Sequence, residues 1–318
     1  MFIEWPPDDP RRARIQLRKA LIAAGFTDRA IAQLVKDGSL FRLRHGAYVD
    51  AAAWRWCDVV GRHALLSRAV LAQARAGVVL SHLSCLGEWD LAQWDLPLDQ
   101  VHLTRVDQRA GRKEAGVHQH LGKLRPIDVV ERNGIRLTAL ARTCLDAASL
   151  VDVEHALCFV NDALHRKGVT PEELQECADY MEQWPGTLGH RVVLRLANGK
   201  LESVGESRFW HLCWRQGLPM PIPQYEVRDE YGRVVAIVDF AWPELGLFVE
   251  FDGKLKYKAP DRDGETVVDV VLREKRREEL VCRITGWRCV RVIWSELYRP
   301  EQTAARVRAA FHSTSVAG

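Results

Sequence analysis

Two apolar runs near the end of the chain each break off into acid, and few folds accommodate that. Residues 234–238 (VVAIV) lead into Asp239, and residues 247–249 (LFV) lead into Glu250, Phe251 and Asp252. Runs this rich in β-branched and aromatic residues, separated by a short Pro243–Gly246 turn, read as two adjacent antiparallel strands. The second, LGLFVEF, has no polar phase before Glu250, which predicts an inner strand covered on both faces. Side chains alternate along a strand with period two, so Glu250 and Asp252 share a face, and pairing brings Asp239 near Glu250. Carboxylates at that density repel and raise one another's pKa unless a cation lies between them. A set of oxygen donors suits Mg²⁺ or Mn²⁺, and such an ion activates water and stabilises phosphoryl-transfer charge. Aspartates also stand at strand ends for turns alone. The next residues shift the balance: Gly253 lets the chain leave the strand sharply, and Lys254, Lys256 and Lys258 come at once. A lysine beside a metal-bound phosphate orients water or holds the scissile group.

The surrounding pattern builds a unit around this segment. Residues 202–216 read as a helix with Val204, Phe209, Leu212 and Cys213 inward, and Glu206 on it supplies a further carboxylate from the side. A hairpin turning at Glu230-Tyr231-Gly232 leads into the first acidic strand, which Asp239 is expected to end. A basic helix over roughly 268–284, a strand RCVRVIW and a helix capped by Ser295 close the unit. The predicted order is helix, three strands, helix, strand, helix.

The chain's 318 residues exceed one comfortable core and suggest two or three domains. Net charge is only +3, but its distribution is uneven: Arg11 to Arg44 holds nine Lys/Arg against two Asp/Glu, and Arg273 to Arg291 seven against three. Two separated basic stretches fit two contacts with a polyanion, although either alone fits a solvated helix face. No apolar run approaches the ~20 residues that span a bilayer, and the opening MFIEWPPDDP lacks the regions of a signal peptide. Eight scattered cysteines without a CxxC fit reduced, mostly buried thiols and a cytoplasmic location.

Residues 11–24 show helical spacing with Ile15, Leu17, Leu21 and Ile22 apolar. Thr27 then caps a second helix, DRAIAQLVKDG, that buries Ile31, Leu34 and Val35. LFRLRHGAYV alternates as a hairpin turning at Gly46. Two helices and a basic hairpin make a unit too small to stand alone, so it docks on the middle of the chain. That middle is mixed α/β: helices over 59–76, 140–149, 152–167 and 171–183, strands at 78–81, 101–106 and 116–121, and a type I′ hairpin at Asn133-Gly134. His118 and His120 share one strand face. A metal pair is one reading, and surface or core histidines are the plainer one without further ligands.

The stretch VVAIVDFAWPELGLFVEFDGKLKY, with REKRREELVCRITGWRCVRVIWSEL after it, resembles the very-short-patch-repair endonuclease-like domains of the PD-(D/E)XK superfamily over about residues 201–311. The resemblance implies that Asp239 is the central metal ligand, that Glu250 is the motif's acid, that the Phe251 carbonyl is a further ligand, and that Glu206 matches the acid of the first helix. Asp252 stands where the motif usually has lysine, which leaves that charge role to Lys256 or Lys275. GFTDRAIAQLVKDGSLFRLRHGAYV resembles the winged-helix domain of AbiEi-type antitoxins over about residues 11–50, through the Asp37-Gly38 exit and the Leu-x-Arg-x-x-x-Gly-x-Tyr wing. That implies DNA binding. Arg29 and Gln33 on the second helix reach base edges, and Arg42, Arg44 and His45 on the wing reach phosphate or the minor groove.

The expectation is a multidomain α/β protein: a winged helix-turn-helix at 1–55, a mixed α/β domain at 56–198, and a restriction-endonuclease-like domain at 199–318 with a central mixed sheet flanked by helices. Its expected function is Mg²⁺- or Mn²⁺-dependent cleavage of double-stranded DNA, with Lys256 on the scissile phosphate and Lys275 and Arg276 on the backbone. The alternative is a non-catalytic repressor or antitoxin with a cognate toxin partner. A nuclease acting on RNA is weaker, because the deep groove of A-form RNA does not admit a helix.

Overall fold

The computed structural model describes residues 3–74, 77–107, 111, 113–114, 116–253 and 267–311, with backbone alone over 267–272. It is a mixed α/β structure in two compact units, Met1–Ala197 and Asn198–Gly318. The expected 1–55 segment lies within the first unit together with the middle of the chain. No helix among the described residues is long and apolar enough to cross a membrane.

The first unit opens with a short strand β1 (Gln16–Leu17), then α1 (Arg18–Ala23), α2 (Asp28–Lys36), β2 (Leu40–Arg44) and β3 (Ala47–Asp50). The long helix expected over 11–24 is therefore cut short. Pro10–Arg12 form a 3₁₀ turn, and Gln16 and Leu17 pair with Tyr48 and Ala47 on the free edge of β3. Edge pairing satisfies backbone groups that β3 would otherwise leave bare, and it lets Ala13 and Ile15 pack beside Val49. With the helix starting at Arg18, Ile22 turns outward and is exposed. The second helix forms as its sequence dictates: the Thr27 hydroxyl accepts the Ala30 N–H, Asp28 sits in the first turn, and Ile31 is buried. Leu34 and Val35 pack beside it half-buried.

This small core does not close on itself. After α3 (Ala51–Trp56), α4 (Val59–Gln73) brings Leu65 against Val49 and Cys57, with Phe41 and Leu43 alongside. The chain continues through β4 (Val78–Leu80), α5 (Leu83–Leu86), β5 (Val101–Arg105), β6 (Lys113–Glu114), β7 (Val117–Leu121), β8 (Val129–Arg132) and β9 (Ile135–Thr138). These six strands form one sheet in the order β6-β7-β5-β4-β9-β8. The β5–β7 and β4–β9 pairs are parallel. Asn133 and Gly134 both take positive φ at the β8–β9 turn, as a type I′ hairpin requires. Asn133 is buried, accepts the Trp5 N–H, and donates to Glu88. Helices α6 (Leu140–Ala148), α7 (Val153–His165), α8 (Pro171–Tyr180) and α9 (His190–Leu196) complete the unit. Thr170 and Glu173 form a reciprocal capping box around Pro171.

The second unit runs α10 (Val204–Arg215), β10 (Ile222–Arg228), β11 (Val234–Trp242), β12 (Leu247–Asp252), α11 (Val267–Thr285), β13 (Arg288–Ile293) and α12 (Pro300–Ala310). Its four strands lie in that order, antiparallel except for the parallel β12–β13 pair. Strand β12 is internal and buried from Leu247 to Glu250, and Pro223 sits on the edge strand, where a missing N–H is tolerated. Two boundaries differ from expectation. Asp239 lies inside β11, which runs on to Trp242. The last helix starts at Pro300 rather than Ser295, because Trp294–Glu296 form a 3₁₀ turn and proline is favoured at a first helical position. All eight cysteines are free, six of them buried.

The Phe251 ring lies directly against Gly205 in the first turn of α10, where an added Cβ would overlap it. Gly205→Ala should therefore cost about 1–3 kcal/mol of unfolding free energy in chemical denaturation, as overpacking does. Gly189→Ala, whose added methyl meets nothing within 4 Å, should change it by less than about 0.5 kcal/mol.

Candidate functional site

The second sheet opens at one point. Strands β11 and β12 pair backbone to backbone from Trp242↔Leu247 to Phe240↔Val249, and the next residues outward are Asp239 and Glu250. There the side chain takes over from the ladder: Asp239 Oδ2 accepts the Phe251 N–H at 2.7 Å. Strand β12 stays paired with β13 as far as Asp252↔Ile293. Asp239 and Glu250 thus stand beside each other where two strands part, both largely out of water.

Their electrostatics follow from that position. Burial is the main cause that pushes Asp239 up to about 6, aided by the Glu206 charge and opposed by the Phe251 N–H and Arg277. Burial pushes Glu250 up to about 7; Asp239 adds to the rise, while Arg277 and Arg291 oppose it. Arg277 on α11 donates to Glu250 Oε1 at 2.9 Å. Asp239 thus raises its neighbour Glu250 in a dry setting, and Arg277 is a positive charge that opposes the rise at both acids. Perturbed groups of this kind concentrate at functional sites.

The other expected site residues are distributed around this pair. Glu206 is buried at the start of α10, beside the N-cap Ser203, whose Oγ accepts the Glu206 N–H and donates to Glu206 Oε1. Its Oε2 accepts from the Glu202 N–H and Gln224. Glu206 is near enough to raise Asp239, but among the described residues it does not join Asp239 and Glu250 in a set of three donors within 4.8 Å. Asp252 is half-buried and takes two hydrogen bonds from Arg291 at 3.0 and 3.2 Å, while the same guanidinium holds Glu278. The Phe251 carbonyl accepts the Gly253 N–H at 3.0 Å and keeps a second lone pair. Lys256 lies outside the described residues, as do Lys254 and Lys258. Lys275 and Arg276 are exposed on α11.

Sequence reasoning missed the two arginines that meet these acids. Arg277 was visible as one charge of a basic helix, and Arg291 as one charge of a strand. What singles them out is register: Arg291 stands opposite Glu250 in the parallel ladder. In the first unit, Arg29 and Gln33 are exposed four residues apart on α2. On the β2–β3 hairpin Arg42 and His45 are exposed and Arg44 is half-buried, beside a register shift between Arg42 and Arg44. Gln73 donates to the His45 carbonyl at 2.8 Å, tying the hairpin tip to α4.

No family model matches the chain. Two uncharacterized proteins of Mycobacterium tuberculosis, from strains CDC 1551 / Oshkosh and H37Rv, are each 27% identical to it over 288 residues, which cover 89% of this chain and 97% of theirs. The likeness reaches into both units.

The raised acids have a measurable consequence for stability. In the folded state Asp239 and Glu250 bind protons more tightly than in the unfolded chain, so stability is greatest where both are protonated and is lost as pH rises through about 6 and about 7. A double variant, Asp239→Asn with Glu250→Gln, removes that dependence. In metal-free buffer its unfolding free energy should gain about 2–4 kcal/mol on wild type between about pH 5 and about pH 8. A difference that stays flat across this window would show that the pair ionises without penalty.

Proposed function

We propose that the second unit is a metal-dependent DNA endonuclease of the restriction-endonuclease-like kind. We also propose that α1, α2 and the β2–β3 hairpin act as a winged-helix surface that holds duplex DNA. One observation carries the reading: the adjacent Asp239 and Glu250, half-buried and buried, where β11 and β12 part in the β10-β11-β12-β13 sheet, in a unit ordered helix, three strands, helix, strand, helix. The very-short-patch-repair-like resemblance implies that same order and those same two acids.

The donor set fits Mg²⁺ or Mn²⁺, because it consists of carboxylate oxygens, whose raised pKa values come mainly from burial and would be offset by a bound cation. Asp239 and Glu250 would hold the ion, with the Phe251 carbonyl as a further oxygen. When bound, such an ion supplies a water nucleophile at neutral pH and stabilises charge on the phosphoryl group. The chain's own residues do the rest. The Phe251 N–H fixes the orientation of the Asp239 carboxylate, and the Ser203 N-cap with its Glu206 contact anchors the start of α10 beside the Phe251 ring. Arg277 holds Glu250 and brings a cation to the site, the role that lysine has in the motif and that Asp252 vacates. Lys275 and Arg276, exposed on the same helix, contact backbone phosphates.

In the first unit, α2 offers Arg29 and Gln33 to base edges in the major groove, and the hairpin offers Arg42, Arg44 and His45 to phosphates. A second reading, the AbiEi-type repressor or antitoxin with a toxin partner, is favoured by Asp252. That acid is matched internally by Arg291, and Arg291 also serves Glu278, so this charge is spent on the fold.

Plasmid, linear and mismatched DNA incubated with the protein in Mg²⁺ or Mn²⁺ should be cut, and Asp239→Ala should lower the rate by more than about 100-fold. Arg42→Ala with Arg44→Ala should weaken binding to all duplexes and flatten its salt dependence by about one unit per lost phosphate contact. Cleavage that survives Asp239→Ala defeats the site assignment. Salt-dependent binding with no cleavage in any metal favours the repressor.

A further inference from the structure

The first unit holds a second concentration of ligand-type side chains, unrelated to the acids of the other sheet. Strands β5 and β7 run parallel with His102 opposite His118 and Thr104 opposite His120. The donor atoms of His102, His118 and His120 all lie within 4.8 Å of one another, and among the described residues no other set of three His, Cys, Asp or Glu does so. His102 Nδ1 and His120 Nε2 are 2.9 Å apart and share a hydrogen bond. The His118 and His120 rings stack at 3.8 Å, and His82 stacks on the other side of His120 at 3.7 Å.

We propose that His102, His118 and His120 form a binding site for one divalent transition-metal ion of the zinc class. Three arguments support it. The donors are imidazole nitrogens, which suit Zn²⁺, Co²⁺, Ni²⁺ and Cu²⁺ rather than the hard ions that carboxylates select. Tetrahedral bonds of ~2.0–2.1 Å set ligand nitrogens ~3.4 Å apart, so the observed spacings need only small side-chain rotations to close on an ion. The triad is also withdrawn from water, with His102 buried and His118 and His120 half-buried. Burial lowers His102 to about 4 and His120 to about 3, and it lowers His118 as well. Lys113, opposite His118 on β6, contributes to that lowering, and Asp99 opposes it at His102.

The surroundings position the triad. His82 is buried with φ of 54°, a conformation that non-glycine residues adopt only when the neighbourhood fixes them. Its Nδ1 lies 2.8 Å from Ser81 Oγ, which also accepts the Thr104 hydroxyl. This chain of contacts holds the ring face against which His120 is stacked. Beneath His102, Ser84 Oγ accepts its backbone N–H and lies 2.8 Å from His63 Nε2. Three protein ligands leave the fourth position to water or to a donor outside the triad, the arrangement of a site that exchanges a ligand.

The test uses the full-length, untagged protein, stripped with chelator and dialysed against Co²⁺, with bound metal measured by mass spectrometry and geometry by ligand-field absorption. Wild type and the Asp239→Asn, Glu250→Gln double variant should each retain about one equivalent with a tetrahedral spectrum. His118→Asn and His120→Gln should lose it, with affinity falling more than about 100-fold, beyond what loss of a mere supporting contact causes. Metal-free melting temperatures check that the variants fold. His118 and His120 are both half-buried, and His118→Asn decides alone if His120→Gln does not fold. Failure of wild type to hold an equivalent overturns the proposal. So does retention by both histidine variants, or loss in the carboxylate variant instead.

Discussion

Two carboxylates placed side by side in a dry strand pair cannot both carry charge unless something positive meets them, and the second unit is organised around that constraint. The apolar residues that bury β12 are the same ones that strip water from Glu250. Parallel pairing of β12 with β13 requires a long crossover between them, and that crossover holds α11, so a basic helix necessarily returns past the acid pair. Arg277 comes from this helix and Arg291 from the strand it leads to. The sheet topology, the helix charge and the acid pair are thus one arrangement. The Asp239 carboxylate also acts as backbone, accepting the N–H that the ladder abandons, so it cannot be removed without loosening the edge it stands on.

Much of this was legible because a strand buried on both faces, as β12 is from Leu247 to Glu250, writes itself as an unbroken apolar run. The β11 and β12 segments, their tight turn at Pro243–Gly246 and the shared face of Glu250 and Asp252 follow from period two and composition alone. What was not legible is who meets whom across non-adjacent segments. Arg291 lies 39 residues beyond Asp252 and reaches it only through the parallel register. The same limit explains the shortened first helix. Residues 11–24 carry a good helical pattern, but a free β3 edge and the pocket beside Val49 reward extension of Gln16 and Leu17 instead. Tertiary pairing overrode local preference there, as it often does for short segments.

The histidines make the point from the other side. His118 and His120 were readable as neighbours on one strand face, and a pair of histidines on a sheet says little. His102 joins them because β5 pairs with β7, and His82 because the turn after β4 folds back beneath that pair. The sheet order β7-β5-β4 collects, from three separate segments, histidines whose spacing in the chain has no motif. A spacing rule finds sites built within one element. It is blind to sites built by sheet order.

The two proposals together give the chain two donor sets of opposite chemistry, one in each compact unit. Oxygens from Asp239 and Glu250 form a hard set whose affinity for a cation comes mainly from unscreened negative charge. Nitrogens from the histidine triad form a neutral, borderline set whose affinity comes from lone-pair donation. Charge and softness separate the two more sharply than shape does. An ion of the zinc class, softer than Mg²⁺, gains more from imidazoles than from carboxylates, and Mg²⁺ gives up its water reluctantly to neutral nitrogen. Two ions would then bind on one chain without competing for the same residues.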